Sequence, residues 1–77
     1  MVKAFVMIDV EPGKEKEIQE AIKRIANVQL CYQVTGENDM IALIDTHIDH
    51  DLAVVVSTIR KIDGIRDTQT EFVLDVD

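Results

Sequence analysis

A chain of 77 residues, 47% hydrophobic and 30% charged, is one globular domain's worth of sequence, too short for two domains and too apolar for a disordered tail. Its formal net charge of −7, with the eight Lys and Arg scattered rather than gathered on a stripe, argues against direct binding of nucleic acid. A lone cysteine, Cys31, excludes an internal disulfide and points to a reducing compartment, and no apolar run is long enough to span a bilayer.

No targeting signal is visible, so the expected location is the cytoplasm. A domain this small buries only about 60% of its unfolded surface, and a second subunit is one usual remedy.

Val2–Val10 is β-rich and apolar on both alternating sets in its middle, the pattern of a central strand. Glu11-Pro12-Gly13 ends it. Residues 14–26 read as a helix, because Ile18, Ala21, Ile22 and Ile25 form one apolar stripe at helical spacing. Residues 28–35 alternate: Val28, Leu30, Tyr32 and Val34 share one face, and Gln29, Cys31, Gln33 and Thr35 the other. Gly36-Glu37-Asn38 makes a turn, and residues 39–45 return as the second strand of a hairpin.

A short polar connection leads to a second amphipathic helix marked by Leu52, Val55, Val56, Ile59 and Ile62. Asp49 and Asp51 are candidate N-caps, and Gly64 is the expected C-terminal residue free to take positive φ. Residues 65–76 read as the last strand, with Thr68, Thr70, Phe72, Leu74 and Val76 on one face. The order is βαββαβ, a ferredoxin-like α+β unit with a four-stranded antiparallel sheet and both helices on one face, forming a single domain over residues 1–77. Its two βαβ halves are a weak structural repeat without a readable sequence repeat. Helix-facing positions account for only part of the apolar strand residues, so the uncovered sheet face points to face-to-face dimerisation.

Three constellations carry possible chemistry. At Thr35-Gly36-Glu37-Asn38-Asp39, glycine permits close approach of a ligand to the main chain, exposed amides suit a carboxylate, and Asp39 suits an ammonium. An ordinary hairpin turn explains the same residues, and chemistry alone favours it. On Thr68-Gln69-Thr70, the two Thr hydroxyls share a face and suit a carboxylate, although β-propensity also explains them. In residues 45–51, His47 and His50 stand among Asp45, Asp49 and Asp51; a solvated loop with capping acids is the simpler account than a metal site, and a pH-sensitive oligomer contact is a weaker role. No metal ligands, catalytic residues or cofactor are assigned. Cys31 has no visible catalytic partner and reads as structural, and Tyr32 reads as a packing residue.

From Val34 to Val73 the chain resembles the ligand-binding (RAM) domain of the Lrp/AsnC regulators. The resemblance rests on Thr35-Gly36, on Asp39 three residues after that glycine, on the following apolar strand and helix, and on Gly64-Ile65 before Thr68-x-Thr70. Ile65 stands where the family often has Val, a conservative departure. The resemblance implies a ferredoxin-like fold of the dimeric α/β-barrel type, dimers joined through their sheets, and higher homo-oligomers such as octameric rings. It also implies an amino-acid effector bound between dimers near the Thr-Gly-x-x-Asp turn. The residues it carries over as ligand contacts are Gly36 and Asp39, then Thr35, Thr68 and Thr70. The chain starts at the sensor's first strand, so it resembles the form without a helix-turn-helix, for which no operator binding is expected and mixed assembly with full-length regulators is a further expected partnership.

Competing readings from the residues are a cofactor-free monooxygenase of the dimeric α/β-barrel type, a purely structural assembly module, and an ACT-type sensor. The first commonly wants Trp, His or Asn inside a cavity, and this chain has no Trp and two His on a connection. The third expects a Gly-rich turn after the first strand, which Glu11-Pro12-Gly13 supplies poorly. The expectation is a non-enzymatic effector-binding domain.

Overall fold

The computed structural model describes residues 2–74. Its elements are β1 (Val2–Val10), α1 (Glu15–Lys23), β2 (Val28–Gln33), β3 (Met40–Thr46), α2 (Asp49–Arg60) and β4 (Ile65–Phe72). All pairings are antiparallel and the strand order is β2-β3-β1-β4, so the first strand is central, as its two-sided apolar pattern requires. This is the ferredoxin-like βαββαβ fold. No helix among the described residues is long and apolar enough to cross a membrane.

The core lies between the sheet and the two helices. Ala4, Val6, Ile8 and Val10 of β1 face it, with Met40, Ala42 and Ile44 of β3 and Cys31 of β2. Ile18 and Ile22 of α1 and Leu52, Val55 and Ile59 of α2 close it from above. Small and large residues face each other at two rungs of the central ladder, where Ala4 opposes Ile44 and Val6 opposes Ala42, and the large Ile8 and Met40 oppose each other at its end. Interdigitation of this kind lets the helices approach the sheet without voids, and each fully buried Ile stabilises the fold by about 1.5–3 kcal/mol.

The opposite sheet face has no cover among the described residues. Leu30, Leu43, Phe5 and Glu71 form one rung across the four strands, and Tyr32, Ile41, Met7 and Gln69 the next. Six of these eight residues are apolar or aromatic; Phe5 is 37% and Tyr32 56% exposed.

Several element ends differ from the sequence reading, each for a local reason. The first helix ends at Lys23, not at residue 26, because Ile25 N donates to Ile22 O (3.0 Å) and Val28 N to Ile25 O (3.3 Å), and Asn27 takes φ 74°. A bulge between Val28 and Leu30 breaks the alternation of β2: Val28 pairs with Ile44 and packs on the core, whereas Leu30 pairs with Leu43 on the open face. The strand ladders of the hairpin span Val28–Gln33 and Met40–Thr46 rather than 28–35 and 39–45. The last strand ends at Phe72, and positions 75 and 76 of the expected strand lie outside the described residues.

At α2 the cap position is Ile48, with no side-chain cap bond, so Asp49 and Asp51 sit inside the first turn. There they act on the helix dipole and do not cap its amides. Gly64 has the expected positive φ of 97° but lies three residues beyond the C-cap Lys61, in the turn that starts β4.

Candidate functional site

The hairpin connection between β2 and β3 is fixed by three bonds, two of which tie it to the end of β1. Asp39 N donates to Ile8 O (3.0 Å), and Val34 N donates to Asp39 O (3.0 Å). The third is made by a side chain: Val10 N donates to Asp39 Oδ2 at 2.9 Å. The β1–β3 ladder stops at Ile8–Met40, and the β1–β4 register slips between Asp9 and Val10. The Val10 amide therefore lacks a strand carbonyl on the β3 side, and the Asp39 carboxylate takes that place. Asn38 Nδ2 adds a bond to Asp9 Oδ1 at 3.2 Å. On its other flank the β1 terminus is tied to the α2–β4 turn, where Glu11 N donates to Gly64 O at 2.8 Å.

One carboxylate oxygen of Asp39 is thus committed to the backbone, and Oδ1 makes no hydrogen bond among the described residues. Gly36 takes φ 117°, and a methyl placed on it would meet nothing within 4 Å. The turn is consequently a solvent-exposed shelf of main chain: Thr35, Gly36, Glu37 and Asp39 are all exposed. Such a shelf offers amides to an anion, but a second wall is needed to exclude water from it.

The structure brings Thr35, Gly36 and Asp39 together on this shelf. It does not bring Thr68 and Thr70 onto it. Thr68 pairs with Ile8 and Thr70 with Val6 on the far side of β1, and both point to the helix-covered side. Thr70 lines a different concavity, a cleft of about 480 Å³ between α2 and β4. Sequence reasoning missed the backbone clip from Asp39 to Val10, because a side-chain acceptor replacing a strand leaves no pattern in the sequence.

His47 and His50 are both exposed, and no group of three or more His, Cys, Asp or Glu among the described residues is placed to hold a metal ion. Cys31 is fully buried; burial pushes its thiol up from the ordinary value, with nearby Lys23 opposing, so it stays protonated and unreactive.

The chain matches known proteins over nearly its whole length. The family model described as the Lrp/AsnC ligand binding domain matches residues 3–76. The HTH-type transcriptional regulator FL11 of Pyrococcus furiosus is 30% identical over 73 residues, covering 95% of this chain and 48% of the regulator. The chain spans about half the length of the curated relatives it matches. The crystal structure of TTHA0845 from Thermus thermophilus superposes with a TM-score of 0.95 at 29% identity, covering 100% of this chain and 98% of that one. The Neisseria meningitidis transcriptional regulator NMB0573, solved as an L-Met complex, superposes with a TM-score of 0.78 at 25% identity, covering 96% of this chain and 50% of that one.

Proposed function

This chain belongs to the Lrp/AsnC ligand-binding domain family, and from that premise we propose that residues 1–77 form one oligomerising unit that takes a small amino-acid effector at the Thr35–Asp39 shelf between subunits. The observation that carries the reading is the conjunction of an open main-chain shelf with an uncovered apolar sheet face. The sheet face, with Phe5, Met7, Leu30, Tyr32, Ile41 and Leu43 at its centre, calls for a second copy. Packing of dimers against one another then supplies the second wall that the shelf lacks.

Within that site the amides around Gly36 receive the effector carboxylate, and Asp39 Oδ1 accepts from its ammonium. Thr35 stands beside them. Thr68 and Thr70 face the helix-covered side of the sheet across β1 and fall outside this set. The role is regulatory rather than catalytic, in keeping with relatives named as transcriptional regulators. A net charge of −7 does not suit this domain to contact DNA directly, and assembly with relatives named as HTH-type transcriptional regulators is the route we propose.

Light scattering on the full chain, with and without each common amino acid, tests the reading, with L-methionine first because a relative was solved with it. The expected result is an assembly larger than a dimer whose mass or stability responds to one amino acid. A dimer indifferent to every amino acid overturns the effector site and leaves an assembly module.

A further inference from the structure

The two halves of the molecule repeat one helix-to-strand pattern, where the sequence reading expected no readable repeat. Ile22-Lys23-Arg24-Ile25-Ala26-Asn27-Val28 corresponds to Ile59-Arg60-Lys61-Ile62-Asp63-Gly64-Ile65. The backbone bonds correspond too: Ile25 N to Ile22 O and Ile62 N to Ile59 O are both 3.0 Å, and Val28 N to Ile25 O and Ile65 N to Ile62 O are both 3.3 Å. In this register Gln19 of α1 corresponds to Val56 of α2, and Gln33 of β2 to Thr70 of β4. Each helix therefore meets an edge strand of the sheet in an equivalent seam.

In the first half the seam is closed by hydrogen bonds. Gln19 Nε2 donates to Cys31 O at 2.8 Å, and Gln33 Nε2 donates to Gln19 Oε1 at 2.9 Å. In the second half neither equivalent residue can make that bridge, because Val56 has no polar atom. The seam stays open as the cleft of about 480 Å³, a size suited to a small molecule. Ala53, Val56 and Phe72 give it apolar walls, and Phe72 stands 56% exposed there. At one end are Arg60 and Lys61, neither of them ion-paired among the described residues, although the chain as a whole is strongly acidic. Ser57 and Thr70 also line the cleft, and their hydroxyls make no hydrogen bond among the described residues.

We infer that the α2–β4 cleft is a second binding site, distinct from the effector shelf, and that it takes a monocarboxylate with an apolar tail. The tail lies against Val56, Ala53 and Phe72, and the carboxylate meets Arg60 and Lys61, with the Ser57 and Thr70 hydroxyls as donors. An α-amino acid fits less well. The acid that lines the cleft, Asp49, is separated from Arg60 by about 16 Å along α2 at 1.5 Å per residue, whereas both charges of a zwitterion are carried within one small head group. An ammonium at the cationic end would be repelled.

The test is an amide NMR titration of the full chain with 3-phenylpropionate, using the neutral 3-phenylpropanamide as control. Saturable shifts at residues 53–61 and 70–72, with weaker binding of the neutral amide, are expected. Exchanging both exposed cations, Arg60→Gln with Lys61→Gln, is expected to weaken carboxylate binding at least about tenfold and leave amide binding unchanged. Val56→Gln, which installs the bridging side chain of the first half, is expected to abolish binding of both probes. Equal binding of the two probes, indifference to the cation exchange, or shifts confined to residues 35–39 each overturn the proposal. Shifts of the same cleft amides on dilution alone mean that a second copy of the chain fills the cleft, and overturn it too.

Discussion

At the α1–β2 seam a glutamine ties the helix to the edge strand; at the equivalent α2–β4 seam a valine leaves an open apolar cleft. The αβ turns that precede these strands differ in the same graded way. Asn27 and Gly64 occupy corresponding positions with φ 74° and 97°, but Asn27 is exposed, whereas Gly64 is buried against α1. A Cβ on Gly64 would lie 2.8 Å from Lys14 Cδ and 2.9 Å from Ile18 Cδ1. Duplicated backbone geometry thus constrains both turns to the left-handed region, and tertiary packing decides which one tolerates a side chain. The first half is built to be closed and the second to pack its turn tightly while leaving its helix–strand seam accessible.

Substitution at the paired turns gives the largest expected contrast. Gly64→Ala is expected to cost about 2–4 kcal/mol, from left-handed strain plus displacement of the buried Ile18. Asn27→Gly, at the same backbone conformation, is expected to stay within about 1 kcal/mol of the parent. Urea unfolding of the two variants measures the difference, and equal costs would break the comparison.

The clip at the meeting of the halves comes next. Asp39→Ala removes the acceptor of the Val10 amide and is expected to cost about 1–3 kcal/mol. Faster hydrogen exchange at Val10 than in the parent is the specific readout. A stability loss without that change would assign the cost elsewhere. Loss of the seam bridge is smaller: Gln19→Ala is expected to cost about 1 kcal/mol, and Val56→Ala to lose no hydrogen bond but part of its apolar contact with the core. Double substitution with Gln33→Ala should add little to Gln19→Ala, since the two side chains share one bond.

The smallest effect is electrostatic. Lys14 bridges the halves through Asp63 at 2.8 Å and also lies 3.4 Å from Glu11. The hydrogen bond and charge of Asp63 raise the Lys14 ammonium above its ordinary value, and Lys14 holds the Asp63 carboxyl below its own. The contribution of Asp63 is present above the unfolded carboxylate range and is lost as pH falls through its lowered folded value. That of Lys14 is present below the unfolded lysine range and is lost as pH rises through its raised folded value. Both groups are exposed to solvent, so the effect is weak and shrinks with added salt. Lys14→Gln should flatten the acid limb of the stability–pH curve at low salt; an unchanged limb would show the pair to be ornamental.

Periodicity made most of the architecture legible. The apolar stripe of Ile18 and Ile22, the two-sided β1 and the order of six elements depend on local spacing, which survives in one dimension. Gly36 and Asp39 were legible for a related reason: a turn needs particular residue types in a short window. Thr68 and Thr70 were legible as a pair, yet their separation from the shelf was not, because β1 lies between them only after strands distant in sequence pair in the order β2-β3-β1-β4.

By itself, then, the amino-acid sequence determined the βαββαβ order, the central place of the first strand, the absence of a disulfide and the family resemblance, since each follows from residue type and near-neighbour spacing. Tertiary structure alone decided that Asp39 serves the Val10 amide, that Val28 and Leu30 part to opposite faces across a bulge, and that equivalent seams are closed in one half and open in the other. Those outcomes turn on ångström-scale contacts between segments many residues apart, where a hydrogen bond forms or fails according to what the fold brings opposite it.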